Sequence, residues 1–169
     1  TFSIVDSTPP SAPTWVAKFK DTGGTYNQGD WAAIRVVTTL SSTDSGSGVS
    51  YMQYKLSDPN LNDTWHTFSC TEGALTQNGT TWTCSEGWGA NDGRDQSYYF
   101  RACYVANNCS GNSTEYRIKY DTSAPSAPTY VAKHSADQTT YTSNTWTNRH
   151  VVTTLSSSDS YSGVSYMQY

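Results

Sequence analysis

Hydrophobic and polar positions alternate along most of the chain. From Trp31 onward, Val36, Thr38, Leu40 and Ser42 fall on one side and Val37, Thr39 and Ser41 on the other. A period of two is that of a strand with one buried face, and the set containing Leu40 is expected inward. Residues 49–56 repeat the pattern, with Met52, Tyr54 and Leu56 opposed to Tyr51, Gln53 and Lys55. Residues 97–105 form the strongest strand, with Tyr98, Phe100, Ala102 and Tyr104 expected toward the core. Shorter strands are predicted at 14–18, 64–70, 80–84 and 114–120. Turns are predicted at Asp21-Thr22-Gly23-Gly24, at Asp44-Ser45-Gly46-Ser47-Gly48 and at 107–112. Asn78-Gly79 is a strong hairpin signal, expected to join 64–70 to 80–84, and the Gly-rich stretch 86–95 carrying Trp88 is expected as a loop.

About seven strands, a turn every ten residues or so and no helical period predict an all-β fold. The pattern is that of an Ig-like, fibronectin-III-like β-sandwich. The first part of the text then recurs. Val36-Val37-Thr38-Thr39-Leu40-Ser41-Ser42 returns as Val151-Val152-Thr153-Thr154-Leu155-Ser156-Ser157, about 115 residues later. Ser11-Ala12-Pro13-Thr14 matches Ser126-Ala127-Pro128-Thr129, Trp31 matches Trp146 and Asp44 matches Asp159. Between 6–54 and 121–169, roughly 29 of 49 positions are identical without a gap. Tandem repeats set end to end are expected. Residues 1–6 align with 116–121 and read as the closing strand of a preceding repeat. Residues 7–121 read as one complete Ig-like repeat, and 122–169 as the N-terminal part of the next. The chain is thus expected to be a window on a longer polypeptide. Pro9, Pro10, Pro13, Pro125 and Pro128 mark the junctions, where fixed φ angles make a short semi-rigid linker. Separate subunits completing one another's sheets are the alternative assembly; the uniform offset favours one continuous chain.

Composition narrows the function. Only 14% of residues are charged and the net charge is −4, which leaves no basic stripe for nucleic acid. No apolar run approaches membrane-spanning length, so no membrane contact is expected in this window. The four cysteines, Cys70, Cys84, Cys103 and Cys109, are even in number and lie between residues 7 and 121. They read as a disulfide framework in an oxidising, extracellular setting. Three pairings are open. Cys70–Cys84 with Cys103–Cys109 is favoured, because each pair brackets one hairpin or turn.

Four segments occur in a familiar order: Trp31…Val36, Asp44-Ser45-Gly46-Ser47-Gly48-Val49, Tyr98-Tyr99-Phe100-Arg101-Ala102-Cys103…Asn107-Asn108-Cys109-Ser110 and Tyr120-Asp121-Thr122-Ser123-Ala124-Pro125. Together they resemble the bacterial Ig-like repeats found in tandem in large surface proteins and adhesins. The likeness runs through essentially the whole chain. The family's Arg-Ala pair is present at Arg101-Ala102, whereas Ala106-Asn107-Asn108 lacks the usual glycine and cysteines stand where apolar residues are commoner. The resemblance implies a stalk, an adhesive module or a spacer beside a secreted catalytic domain.

Candidate chemistry is sparse. His66, His134 and His150 are scattered, and the last two replace Phe19 and Arg35 of the other copy. The carboxylates Asp58, Asp63, Glu72, Glu86, Asp92 and Asp95 lie in predicted loops without a cleft, so no enzyme is expected. No cofactor is expected beyond calcium, for which Asp44, Asp92 and Asp95 are the candidate donors. Neither surrounding loop has the spacing of a dedicated calcium site, and the turn reading is preferred. A junction site with Asp6 or Asp121 is a further place for calcium. Trp65, Trp82 and Trp88, with Tyr98 and Tyr99, are candidates for stacking on sugars, although two of the tryptophans are expected to be packing residues. Sequons occur at Asn62, Asn78, Asn108 and Asn112. The expected role is a semi-rigid stalk or spacer at the cell surface. Its expected partners are neighbouring repeats and, in the adhesive alternative, a host or cell-surface glycan or protein.

Overall fold

The structure, a computed structural model, describes residues 6–58, 60–88, 93–104 and 108–168. The expected strand at residues 1–5, Pro59, the candidate donor Asp92, the Ala106-Asn107 turn and Tyr169 lie outside the described residues. The chain divides into two compact units, Thr1–Thr122 and Ser123–Tyr169. Among the described residues it is all-β, with no helix and eleven strands. Among those residues no helix is therefore long and apolar enough to cross a membrane.

The first unit holds β1 (Thr14–Phe19), β2 (Trp31–Ala32), β3 (Val36–Thr43), β4 (Tyr51–Leu56) and β5 (His66–Thr67). It continues with β6 (Gly73–Asn78), β7 (Thr81–Trp88), β8 (Arg94–Cys103) and β9 (Tyr116–Tyr120). One sheet has the order β1-β3-β7-β6 and the other the order β2-β9-β8-β4-β5. Every pairing is antiparallel except β2 with β9, which is parallel.

Alternation decides what is buried. In β3, Val36, Thr38, Leu40 and Ser42 are buried while their neighbours are only partly so, as the period of two requires. Val36 and Leu40 join Met52 of β4, Tyr98, Phe100 and Ala102 of β8, and Tyr116 and Ile118 of β9 in a single core. The two sheets thus face each other as in a β-sandwich. Each fully buried large apolar side chain contributes on the order of 1.5–3 kcal/mol. A polar bond between the sheets is buried in this interior. The Thr38 hydroxyl donates to the Tyr116 phenolic oxygen at 3.0 Å, and burial pushes that phenol well above its ordinary pKa.

Several expected boundaries are corrected. The single strand expected from Trp31 to Ser42 is two strands, and they belong to opposite sheets. The Asn78-Gly79 hairpin is real, with Asn78 opposite Thr81 and Gly79 at φ 61°. Its first arm is β6, however, not 64–70. Cys70 takes φ 56°, a left-handed conformation that ends any strand there, and His66–Thr67 pairs with β4 in the other sheet. The expected loop 86–95 is replaced at both ends by strand, since β7 runs on to Trp88 and β8 starts at Arg94. Tyr104 is half-buried instead of joining the core; its hydroxyl donates to the Asp6 carbonyl at 2.6 Å.

That bond belongs to a clasp on the Pro-rich lead-in. Asp6 accepts from the Ser47 amide at 2.7 Å, the Ser47 hydroxyl at 2.8 Å and the Thr8 amide at 2.9 Å. These donors, the Ser47 amide foremost, lower its pKa. Asn108 donates to the Ser7 carbonyl at 3.0 Å, and Pro10 and Pro13 are buried.

The second unit holds one antiparallel pair, β10 (Thr129–His134) with β11 (Val151–Ser156). Its register repeats that of β1 with β3 residue for residue: Thr129 faces Ser156 as Thr14 faces Ser41, and His134 faces Val151 as Phe19 faces Val36. Smaller bonds repeat too. Tyr26 donates to the Asp30 carbonyl at 2.6 Å, and Tyr141 to the Thr145 carbonyl at 2.7 Å.

Candidate functional site

The outer face of the five-stranded sheet collects aromatic and cationic side chains. Because Tyr98, Phe100 and Ala102 point inward, Tyr99 and Arg101 of β8 must point out; the same parity turns Tyr51, Gln53 and Lys55 of β4 outward. Register then fixes the neighbours: Gln53 lies opposite Arg101 and Lys55 opposite Tyr99. On the far side of β4, Gln53 faces Thr67 and Tyr54 faces His66, and one further step brings Trp65 alongside Lys55.

The side chains close on this arrangement. The Arg101 guanidinium carbon lies 4.3 Å from the Trp65 ring centroid and the Lys55 Nζ lies 5.1 Å from it. Both distances are within cation–π range. Arg101 also donates through Nε to the Gln53 amide oxygen at 2.8 Å. The chain on either side of Trp65 is tied down by Asp63. That carboxylate accepts from the Leu56 amide at 2.8 Å and the Thr64 amide at 3.0 Å, and pairs with His66 at 2.8 Å. These bonds, the Leu56 amide first, lower the Asp63 pKa.

Charge compensation differs across the sheet. Arg117 is chelated by Asp95 through two bonds of 2.8 Å, and its pKa is raised by that carboxylate. Arg101 has its pKa lowered by partial burial. Among the described residues neither Arg101 nor Lys55 lies within ion-pair distance of a carboxylate.

The other sequence candidates do not converge here. Trp88 is buried, with Tyr54, Phe68, Tyr98 and Phe100 around it. Trp82 is half-buried over Gly48, where a Cβ would stand 2.6 Å from the indole. Tyr98 is in the core, while Tyr99 is on the outer face. Asp44 accepts from the Gly48 amide, a turn bond, and Asp95 is engaged by Arg117. Asp6 spends its carboxylate on Ser47 and Thr8. Disulfides join Cys70 to Cys84 and Cys103 to Cys109, with Cα separations of 5.3 and 4.1 Å. Bridges of this kind are the mark of an oxidising, extracellular environment.

Arg101, Lys55 and Gln53 are not site candidates by sequence, and Asp63 reads there only as a loop carboxylate. The outward parity of Gln53 and Lys55 was legible, but which residues of β8 stand opposite them depends on the strand register. Comparison with known protein families, curated proteins and solved structures finds no match.

Proposed function

We propose that the chain is a structural module of an extracellular, tandemly repeated Ig-like surface protein or filament, acting as a semi-rigid spacer. The observation that carries this reading is the repeated register: β10–β11 pairs as β1–β3 does, at the offset of the sequence repeat. A text that recurs with its hydrogen bonds fits a module copied along an array. Three further features support it. The sheet orders β1-β3-β7-β6 and β2-β9-β8-β4-β5 suit an Ig-like sandwich. The two disulfides suit an exposed setting outside the cell. The clasped lead-in around Asp6 limits bending at the start of the first unit.

Single-molecule pulling on the polypeptide from its native source tests the proposal. Tandem modules give evenly spaced unfolding events, each releasing the length of about 115 residues less what the disulfides hold. Reduction frees spans of 14 and 6 residues in this repeat, so its event lengthens by roughly 70 Å. Irregular events, or one event only, would overturn the array. The adhesive alternative is favoured by one observation, the half-exposed Trp65 with its two cations.

A further inference from the structure

We infer that the outer face of the five-stranded sheet carries a binding site for an acidic glycan, a sugar chain bearing carboxylates or sulfates, centred on Lys55, Trp65 and Arg101. The inference does not rest on the spacer reading, and its failure would leave that reading intact.

Two like charges are brought to one indole, and among the described residues no carboxylate lies within ion-pair distance of either. Both cations sit on the same ring, so an anion seated beside them gains from two positive charges at once. The cations are also positioned. Gln53 fixes the guanidinium through Nε, which leaves its terminal nitrogens as a fork suited to a planar carboxylate or a sulfate. Asp63 locks the loop that presents Trp65. A free surface arginine needs neither support.

The chemistry around the cations selects a saccharide. Tyr99 and Tyr51 add aromatic faces and hydroxyls, and Gln53 adds an amide, on the same outward face of the sheet. Polar groups among aromatic faces suit pyranose rings and their hydroxyls. Elsewhere on this sheet Asp95 is taken by Arg117, and Glu115 accepts from Ser57 at 2.6 Å. A smaller copy of the motif sits at the opposite edge, where Lys119 Nζ lies 5.4 Å from the Trp31 ring. Nucleic acid is disfavoured, because the chain carries a net charge of −4 and a polyanion of that density needs a longer basic track.

The test is calorimetric titration of the full 169-residue chain with four probes. These are a heparin-derived octasaccharide, an octagalacturonate, neutral maltooctaose and poly-glutamate. The octasaccharide, the octagalacturonate or both are expected to bind, maltooctaose is not, and poly-glutamate is expected to be at least tenfold weaker. R101Q, K55Q and W65A should each weaken binding at least tenfold, while K20Q on the other sheet leaves it unchanged. Urea midpoints check that each variant is folded; R101Q and K55Q keep the test decisive if W65A unfolds. The inference is overturned if neither acidic glycan binds or maltooctaose binds equally. It is also overturned if poly-glutamate binds as well, or if K20Q weakens binding as much as R101Q.

Discussion

The hairpin β1–β3 and the hairpin β10–β11 share a register, their side bonds and most of their sequence, yet they differ in burial. Val36, Thr38, Leu40 and Ser42 are buried in the first. In the second, Val151, Leu155 and Ser157 are half-buried and Thr153 is exposed. Pro10 and Pro13 are buried, whereas Pro125 and Pro128 are exposed. Trp31 is half-buried; Trp146 is fully exposed, at 103%. Hydrogen bonding is therefore written locally, in the alternation, the tyrosine that bonds four residues on and the serine that ties the lead-in to the strand end. Burial is not local. It depends on β4, β7, β8 and β9: residues 166–168 align with the start of β4 but form no strand, and the other three have no counterpart among the described residues of the second unit. An isolated two-stranded hairpin is marginal in water, so most of the free energy separating the hairpins comes from the opposing strands.

The largest test of this contrast uses the matched leucines. Leu40→Ala should lower the stability of the first unit by about 2–5 kcal/mol, since the side chain is fully buried. Leu155→Ala should leave the same urea transition, followed by tryptophan fluorescence, within about 0.5 kcal/mol. Equal effects would mean the hairpins have equivalent surroundings.

The matched glycines sharpen it. Gly48 and Gly163 both sit at φ 82°. Alanine costs about 1 kcal/mol at such a position from backbone sterics alone. At Gly48 the added methyl also meets Trp82, whereas at Gly163 nothing lies within 4 Å. Gly48→Ala should therefore lower the urea midpoint of the first unit clearly, and Gly163→Ala should not move it.

The smallest effect is electrostatic. Asp63 in the first unit and Asp137 in the second both have lowered pKa values, Asp63 chiefly from the Leu56 amide and Asp137 chiefly from Arg149. A carboxylate lowered in the folded state stabilises above its unfolded pKa and loses that contribution as pH falls through its folded pKa. Asp63→Asn should thus lower the melting temperature at pH 7, with the difference closing below the ordinary value of 3.8. Asp137→Asn should not shift the melting of the first unit at any pH.

Much of the fold was legible because period-two alternation is a local signal. The inward set of β3 and the core residues of β8 follow from it directly. The misread segments are those where a local conformation or a change of sheet intervenes. Cys70 in the left-handed region breaks what reads as one strand from 64 to 70. Gly87, in a Gly-rich stretch that reads as loop, lies within β7 beneath the Arg35 side chain. The outer-face cluster was half legible. Trp65 stood out as an aromatic, but Arg101 is 36 residues away and joins it only through the β4–β8 and β4–β5 registers.

The parallel pairing of β2 with β9 has a mechanical consequence. Trp31 lies opposite Lys119 and Ala32 opposite Tyr120, and the Asp121 amide then bonds the Ala32 carbonyl at 3.0 Å. When two parallel strands are drawn apart, one by its leading end and the other by its trailing end, the bonds between them slide past one another together. Antiparallel strands pulled from the same end open one bond at a time, like a zipper. A traction applied at residue 121 against a hold at residue 30, on the leading side of β2, therefore loads the β2–β9 patch in shear, and its bonds yield as a group.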